Sequence, residues 1–149
     1  MGTGKSPHVG DVDPNEAWQI LNDNKSARLI DVRTSAEWNF VGYPDLGEVG
    51  QQPIFIEWSS LPNMSENPQF AAQLDEALGN EVPDTLLFLC RSGVRSLRAA
   101  YLVADHLTSR GETANCLNIA EGFEGDLDAS AHRGSMNGWK ARGLSWRQS

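Results

Sequence analysis

The sequence predicts an α/β protein built on a parallel β-sheet with helices on both faces. Short apolar runs alternate with stretches of helical periodicity: Leu29-Ile30-Asp31-Val32, Ile54-Phe55-Ile56, Leu86 to Leu89 and Ala114 to Ala120. No two-residue hairpin turn joins one run to the next, so antiparallel meanders are disfavoured. The run Leu86-Leu87-Phe88-Leu89 shows no polar alternation, as expected of a strand covered on both sides.

The elements follow in order. Residues 1–10 are polar and glycine-containing and read as a flexible lead-in, leaving residues 11–149 as a single domain. Gly2-Thr3-Gly4-Lys5-Ser6 ends like a phosphate-binding loop, but no strand precedes it. Asp13-Pro14-Asn15-Glu16 has the order of a capping box with proline at the first helical position. The helix it starts buries Ala17, Trp18 and Leu21 and ends near Asn24. Ala27 to Val32 is a strand closing on Asp31-Val32-Arg33, after which Thr34 or Ser35 caps a brief turn carrying Glu37 and Trp38.

Gly42 to Gly50 is turn-rich, and Ile54 to Ile56 forms a second strand. Asn67-Pro68 opens a helix with Phe70, Leu74, Ala77 and Leu78 on one face. Thr85 to Leu89 is the next strand. A helix from about Arg95 to Leu107 turns Ala99, Leu102, Val103 and Leu107 inward, with Gly111 as terminator. Ala114 to Ala120 is the last strand. A long loop follows, and a short helix near Asn137 is expected to be anchored by Trp139 and Trp146.

With 149 residues the chain can build one real core, burying about two thirds of its unfolded surface. No window approaches the ~18 apolar residues of a membrane span, and no signal-peptide core is evident, so a cytoplasmic protein that meets no membrane is expected. A net charge of −8 disfavours nucleic acid as a partner. The only cysteines are Cys90 and Cys116, too few for a disulfide scaffold, and no ligand spacing suggests a metal. No cofactor is implied.

Chemistry concentrates in Cys90-Arg91-Ser92-Gly93-Val94-Arg95-Ser96. The apolar strand stops at a thiol, a short loop follows, and a helical pattern starts at once. Ligands of such sheets sit beyond the carboxyl ends of strands, where Cys90 and Asp31-Val32-Arg33 both fall. A helix amino terminus stabilises a negative charge by up to ~2 kcal/mol, and Arg91 and Arg95 act in the same direction. Cys90 therefore reads as an activated nucleophile rather than a small core residue.

Three segments together resemble a single-domain rhodanese, a thiosulfate-type sulfurtransferase: Leu29 to Arg33 followed by Glu37-Trp38, the loop Cys90 to Ser96, and Gly138-Trp139-Lys140-Ala141-Arg142-Gly143-Leu144. The resemblance spans roughly residues 13–147. It implies a five-stranded, mainly parallel central sheet and a Cys90 that forms a persulfide. The sulfur would come from a small anionic donor such as thiosulfate and pass to a small thiol or a protein thiol. Main-chain amides from Arg91 to Ser96 would cradle the sulfur, Gly93 would let the backbone curl, and Ser96 would cap the helix. The family often has Gly-His where Gly42-Tyr43 stands and Gly-Gly where Gly122-Phe123 stands, and an insertion runs from there to about Asn137.

Arg91 is expected to project outward toward the donor, while Arg95 either pairs with a carboxylate or meets substrate. Asp31 and Arg33 are expected to form an ion pair at the sheet edge rather than to act directly, and Cys116 to be buried filler. His132 and Arg133 are candidate supporting residues. Two other functions compete. A binding or regulatory module would keep the fold without turnover. A cysteine phosphatase would need one more residue between Cys90 and the arginine; four intervene before Arg95, Leu89 precedes the cysteine, and Ser96 stands where that arginine belongs.

Overall fold

The computed structural model describes residues 8–79 and 81–148. Five strands make the central sheet: β1 (His8–Val12), β2 (Arg28–Asp31), β3 (Ile54–Phe55), β4 (Thr85–Leu89) and β5 (Asn115–Ile119). Their order across the sheet is β1-β5-β4-β2-β3, and every neighbouring pair is parallel. Among the described residues four α-helices accompany them: α1 (Pro14–Asp23), α2 (Ser35–Phe40), α3 (Phe70–Leu78) and α4 (Val94–Ser109). Among the described residues no helix is long and apolar enough to cross a membrane.

Strand β1 corrects the reading of residues 8–10 as part of a lead-in. It starts at His8 and pairs with β5 from His8↔Asn115 to Val12↔Ile119. Its sequence, with Gly10 and Asp11 in the middle, carries no strand signal of its own; the partner strand supplies it. Residues 1–7 lie outside the described residues.

Pleating divides the side chains of the sheet between two cores. Ile30, Leu86, Phe88, Cys90 and Cys116 pack with Phe70 and Leu74 of α3 and Ala99, Ala100, Val103, Ala104 and Leu107 of α4. Leu29, Leu87, Leu89, Leu117 and Ile119 pack on the other face with Ala17 and Leu21 of α1, Phe123 and Trp139. The spacing of the α4 residues is that of one helical face. Leu102 falls off that face and is 39 % exposed, contrary to expectation.

Caps set the helix starts. Asp13 and Glu16 form a reciprocal capping box on α1, with Pro14 at the first position, and Thr34 and Glu37 do the same on α2. Thr34, not Ser35, is thus the cap. The cap of α4 is Gly93, held at φ 112° without a side-chain bond. Ser96 sits inside the first turn, so it does not cap the helix as expected.

The helix expected near Asn137 does not form. Gly138 (φ 99°) and Gly143 (φ 77°) bracket a single turn closed by Arg142 N–H to the Gly138 carbonyl. Trp139 still anchors the segment: it is fully buried and lies edge-on to Trp18. Trp146 instead joins Arg147 in a two-residue antiparallel ladder with Tyr43–Pro44 and is 37 % exposed.

Candidate active site

Strand β4 delivers Cys90 to its carboxyl end, and the tight turn through Gly93 brings the chain back over it as α4. The Gly93 N–H donates to Sγ at 3.1 Å, and the Ser96 hydroxyl lies 3.1 Å from the same sulfur. Among the described residues Gly93 is the one main-chain amide that bonds Sγ, a smaller cradle than the sequence suggests. The thiol is 1 % exposed. Gly93 is required here: a Cβ would meet the Ala120 carbonyl oxygen at 2.3 Å.

The segment after β5 closes the site from above. The Cys90 carbonyl accepts from Phe123 N–H at 2.8 Å, and the Arg91 carbonyl accepts from Glu124 and Gly125 at 3.0 and 3.1 Å. Gly122, at φ +70°, lets this approach happen, since a Cβ there would lie 2.4 Å from the Arg91 carbonyl oxygen.

The charged residues divide by position. Arg91 and Val94 are exposed, and Ser92 is half-buried. Arg95 pairs with Glu37 through two hydrogen bonds, which decides between the two alternatives left by the sequence in favour of a carboxylate. Burial pulls the Arg95 pKa down, but Glu37, together with the charges of Cys90 and Asp31, holds it above its usual value. Asp31 and Arg33 form a fully buried pair, Nε to Oδ1 at 2.9 Å and Nη2 to Oδ2 at 2.7 Å. Arg33 Nη2 also donates to the Gly42 carbonyl, and its guanidinium stacks 4.4 Å above the ring of Phe123. That contact gives the phenylalanine beside Gly122 a structural purpose.

His132 and Arg133 make no hydrogen bond or ion pair with residues 90–96. Arg133 donates to the Gly125 carbonyl at 2.7 Å, and His132 is exposed, its main chain tied to Asp128. Cys116 is fully buried; burial pushes its thiol pKa up to about 12. It pairs in register with Leu86, four positions before Cys90, a separation of about 13 Å along the strand that no disulfide spans. Both cysteines are free. Among the described residues no cluster of three or more His, Cys, Asp or Glu side chains could hold a metal ion.

Sequence reasoning missed two polar residues beyond Ser96. Its hydroxyl donates to Asn118 Oδ1 at 2.5 Å, and Asn118 Nδ2 donates to Asp11 Oδ1 at 3.0 Å. Asn118, the polar residue among the four buried positions of β5, was the available signal, since a buried amide requires partners.

The chain belongs to the rhodanese-like domain family, whose model matches residues 13–142. It is similar to uncharacterized proteins of Rickettsia rickettsii and Rickettsia conorii, each 32 % identical over 139 residues, covering 93 % of this chain and 98 % of the relative. The crystal structure of Rv0390 from M. tuberculosis superposes with a TM-score of 0.80 at 44 % identity, covering 95 % of this chain and 99 % of that one.

Proposed function

We propose that this protein is a sulfurtransferase that carries sulfane sulfur as a Cys90 persulfide. The observation that carries this reading is the sulfur at the end of β4, bonded by the Gly93 amide at the amino terminus of α4. The thiolate attacks the outer sulfur of a donor such as thiosulfate. The donor S–S bond breaks, sulfite leaves with its electron pair, and an S–S bond to Cys90 forms. An acceptor thiolate then attacks the outer sulfur and takes it, returning Cys90 as thiolate. Two displacements replace one difficult transfer.

The Gly93 amide and the dipole of α4 favour the anionic sulfur in both states. Exposed Arg91 attracts the anionic donor, and Arg95, bound to Glu37, holds the loop. Because Cys90 is 1 % exposed, entry of the donor requires residues 91–94 to part from residues 121–125. Two free cysteines suit a reducing, cytoplasmic setting.

Incubation with thiosulfate should add one sulfur to the intact mass. The adduct should be removed by reductant and absent from Cys90→Ser. The enclosure of Sγ favours a second reading, a binding module without turnover, and absence of an adduct with several donors supports it. Phosphatase chemistry is disfavoured because Arg95 follows too early and is already bound to Glu37.

A further inference from the structure

The polar chain leading away from Cys90 has a direction. An ionised carboxylate only accepts hydrogen bonds, so Asp11 fixes the end of the Asn118 amide that faces it. Nδ2 turns to Asp11, and Oδ1 is thereby presented to Ser96. Ser96 has one proton. While that proton is committed to Asn118, the Ser96 oxygen can only accept from the Cys90 thiol, 3.1 Å away.

A thiolate or persulfide needs a donor instead. It gains one when the Ser96 hydroxyl swings from Asn118 to sulfur, which leaves Asn118 Oδ1 without that partner. Ser96 is fully buried and Asn118 is 3 % exposed, so solvent cannot readily replace the lost bond.

We infer that Asn118, oriented by Asp11, is a positioning residue that biases Cys90 toward the thiol by holding the Ser96 hydroxyl away from sulfur. The catalytic meaning rests on the sulfurtransferase reading, because persulfide formation begins from the thiolate. The hydrogen-bond chemistry stands apart from it. The other charges around the sulfur are already engaged or exposed. Arg95 is paired with Glu37 and Asp31 with Arg33, Glu121 is bound by Arg142, Glu124 follows on the covering segment, and Arg91 is exposed.

The test is a pH titration of thiolate ultraviolet absorbance, taken as a difference against Cys90→Ser. Cys116, pushed up to about 12, stays silent over the range. Asp11 is exposed, so its variants should fold. Asp11→Ala removes the charge and the acceptor, and water, which donates as well as accepts, no longer dictates the amide orientation. Loss of the charge alone lowers the midpoint in any background, so Asp11→Ala is compared in the wild-type chain and in Ser96→Ala. The midpoint should fall by about 0.7 pH unit more where Ser96 is present, the worth of one hydrogen bond. Asn118→Ala, which changes no charge, should lower the midpoint by a similar amount only where Ser96 is present. An equal fall with and without Ser96 would overturn the inference. Sulfur loading by thiosulfate, followed by mass, is read separately. Its failure with the titration pattern intact counts against the sulfurtransferase reading alone.

Discussion

Arg95 and Glu37 join the second residue of α4 to the first turn of α2 through a two-pronged ion pair, Nη1 to Oε1 at 2.7 Å and Nη2 to Oε2 at 3.0 Å. Both side chains are more than four-fifths buried. Glu37 also completes the α2 capping box with Thr34. One carboxylate therefore fixes a helix start and the loop that follows Cys90.

That double role makes the loop acid-sensitive. Burial alone would raise the Glu37 pKa, but the hydrogen bond and charge of Arg95, with the Thr34 amide and Arg33, hold it below its ordinary 4.5. A carboxylate depressed in the fold contributes stability above its unfolded pKa and loses it as pH falls through the folded one. Unfolding free energy should therefore drop below about pH 4.5, and Glu37→Gln should flatten part of that slope. Urea titrations across the range measure it.

The Asp31–Arg33 pair gives a contrasting prediction. Arg33→Leu leaves a fully buried carboxylate without its partner, at a cost of about 3–5 kcal/mol. Replacing both residues with apolar ones of similar volume should recover most of that loss. Chemical denaturation of the single and double variants distinguishes a structural pair from one required only for turnover.

Gly122→Ala should displace the covering segment. The new Cβ would crowd the Arg91 carbonyl at 2.4 Å, where the backbone also sits at φ +70°. The expected result is a loss of more than about 1 kcal/mol of stability together with loss of sulfur loading. A stable, fully loading variant would show that residues 121–125 need not press on the loop.

Arg91→Ala should raise the apparent KM for thiosulfate and weaken its dependence on salt, because an exposed cation acts on an anion through a screened field. Steady-state kinetics at two ionic strengths give the answer. An unchanged KM would remove Arg91 from the donor path.

What the sequence revealed divides along physical lines. Strands β4 and β5 and helices α1 and α4 were legible because their signals are local: an apolar run, a capping box, a helical stripe. Cys90 and its loop were legible for the same reason. Strand β1 was not, because its pairing energy comes from β5, more than a hundred residues away. Glu37 was visible as a turn residue, but its partner Arg95 is 58 positions distant. The Asp11–Asn118 contact spans 107. The helix expected near Asn137 fails because the glycines at 138 and 143, both at positive φ, end it after one turn.

The family match begins at residue 13, yet β1 ends at Val12. A chain trimmed to the matched region would uncover the hydrogen-bonding margin of Asn115–Ile119, five residues whose last four are buried. An open parallel margin of that kind invites a second molecule to dock its own backbone there. The first described strand covers that margin and, with Gly10 and Asp11 near its centre, puts a poorer strand former at the edge in its place.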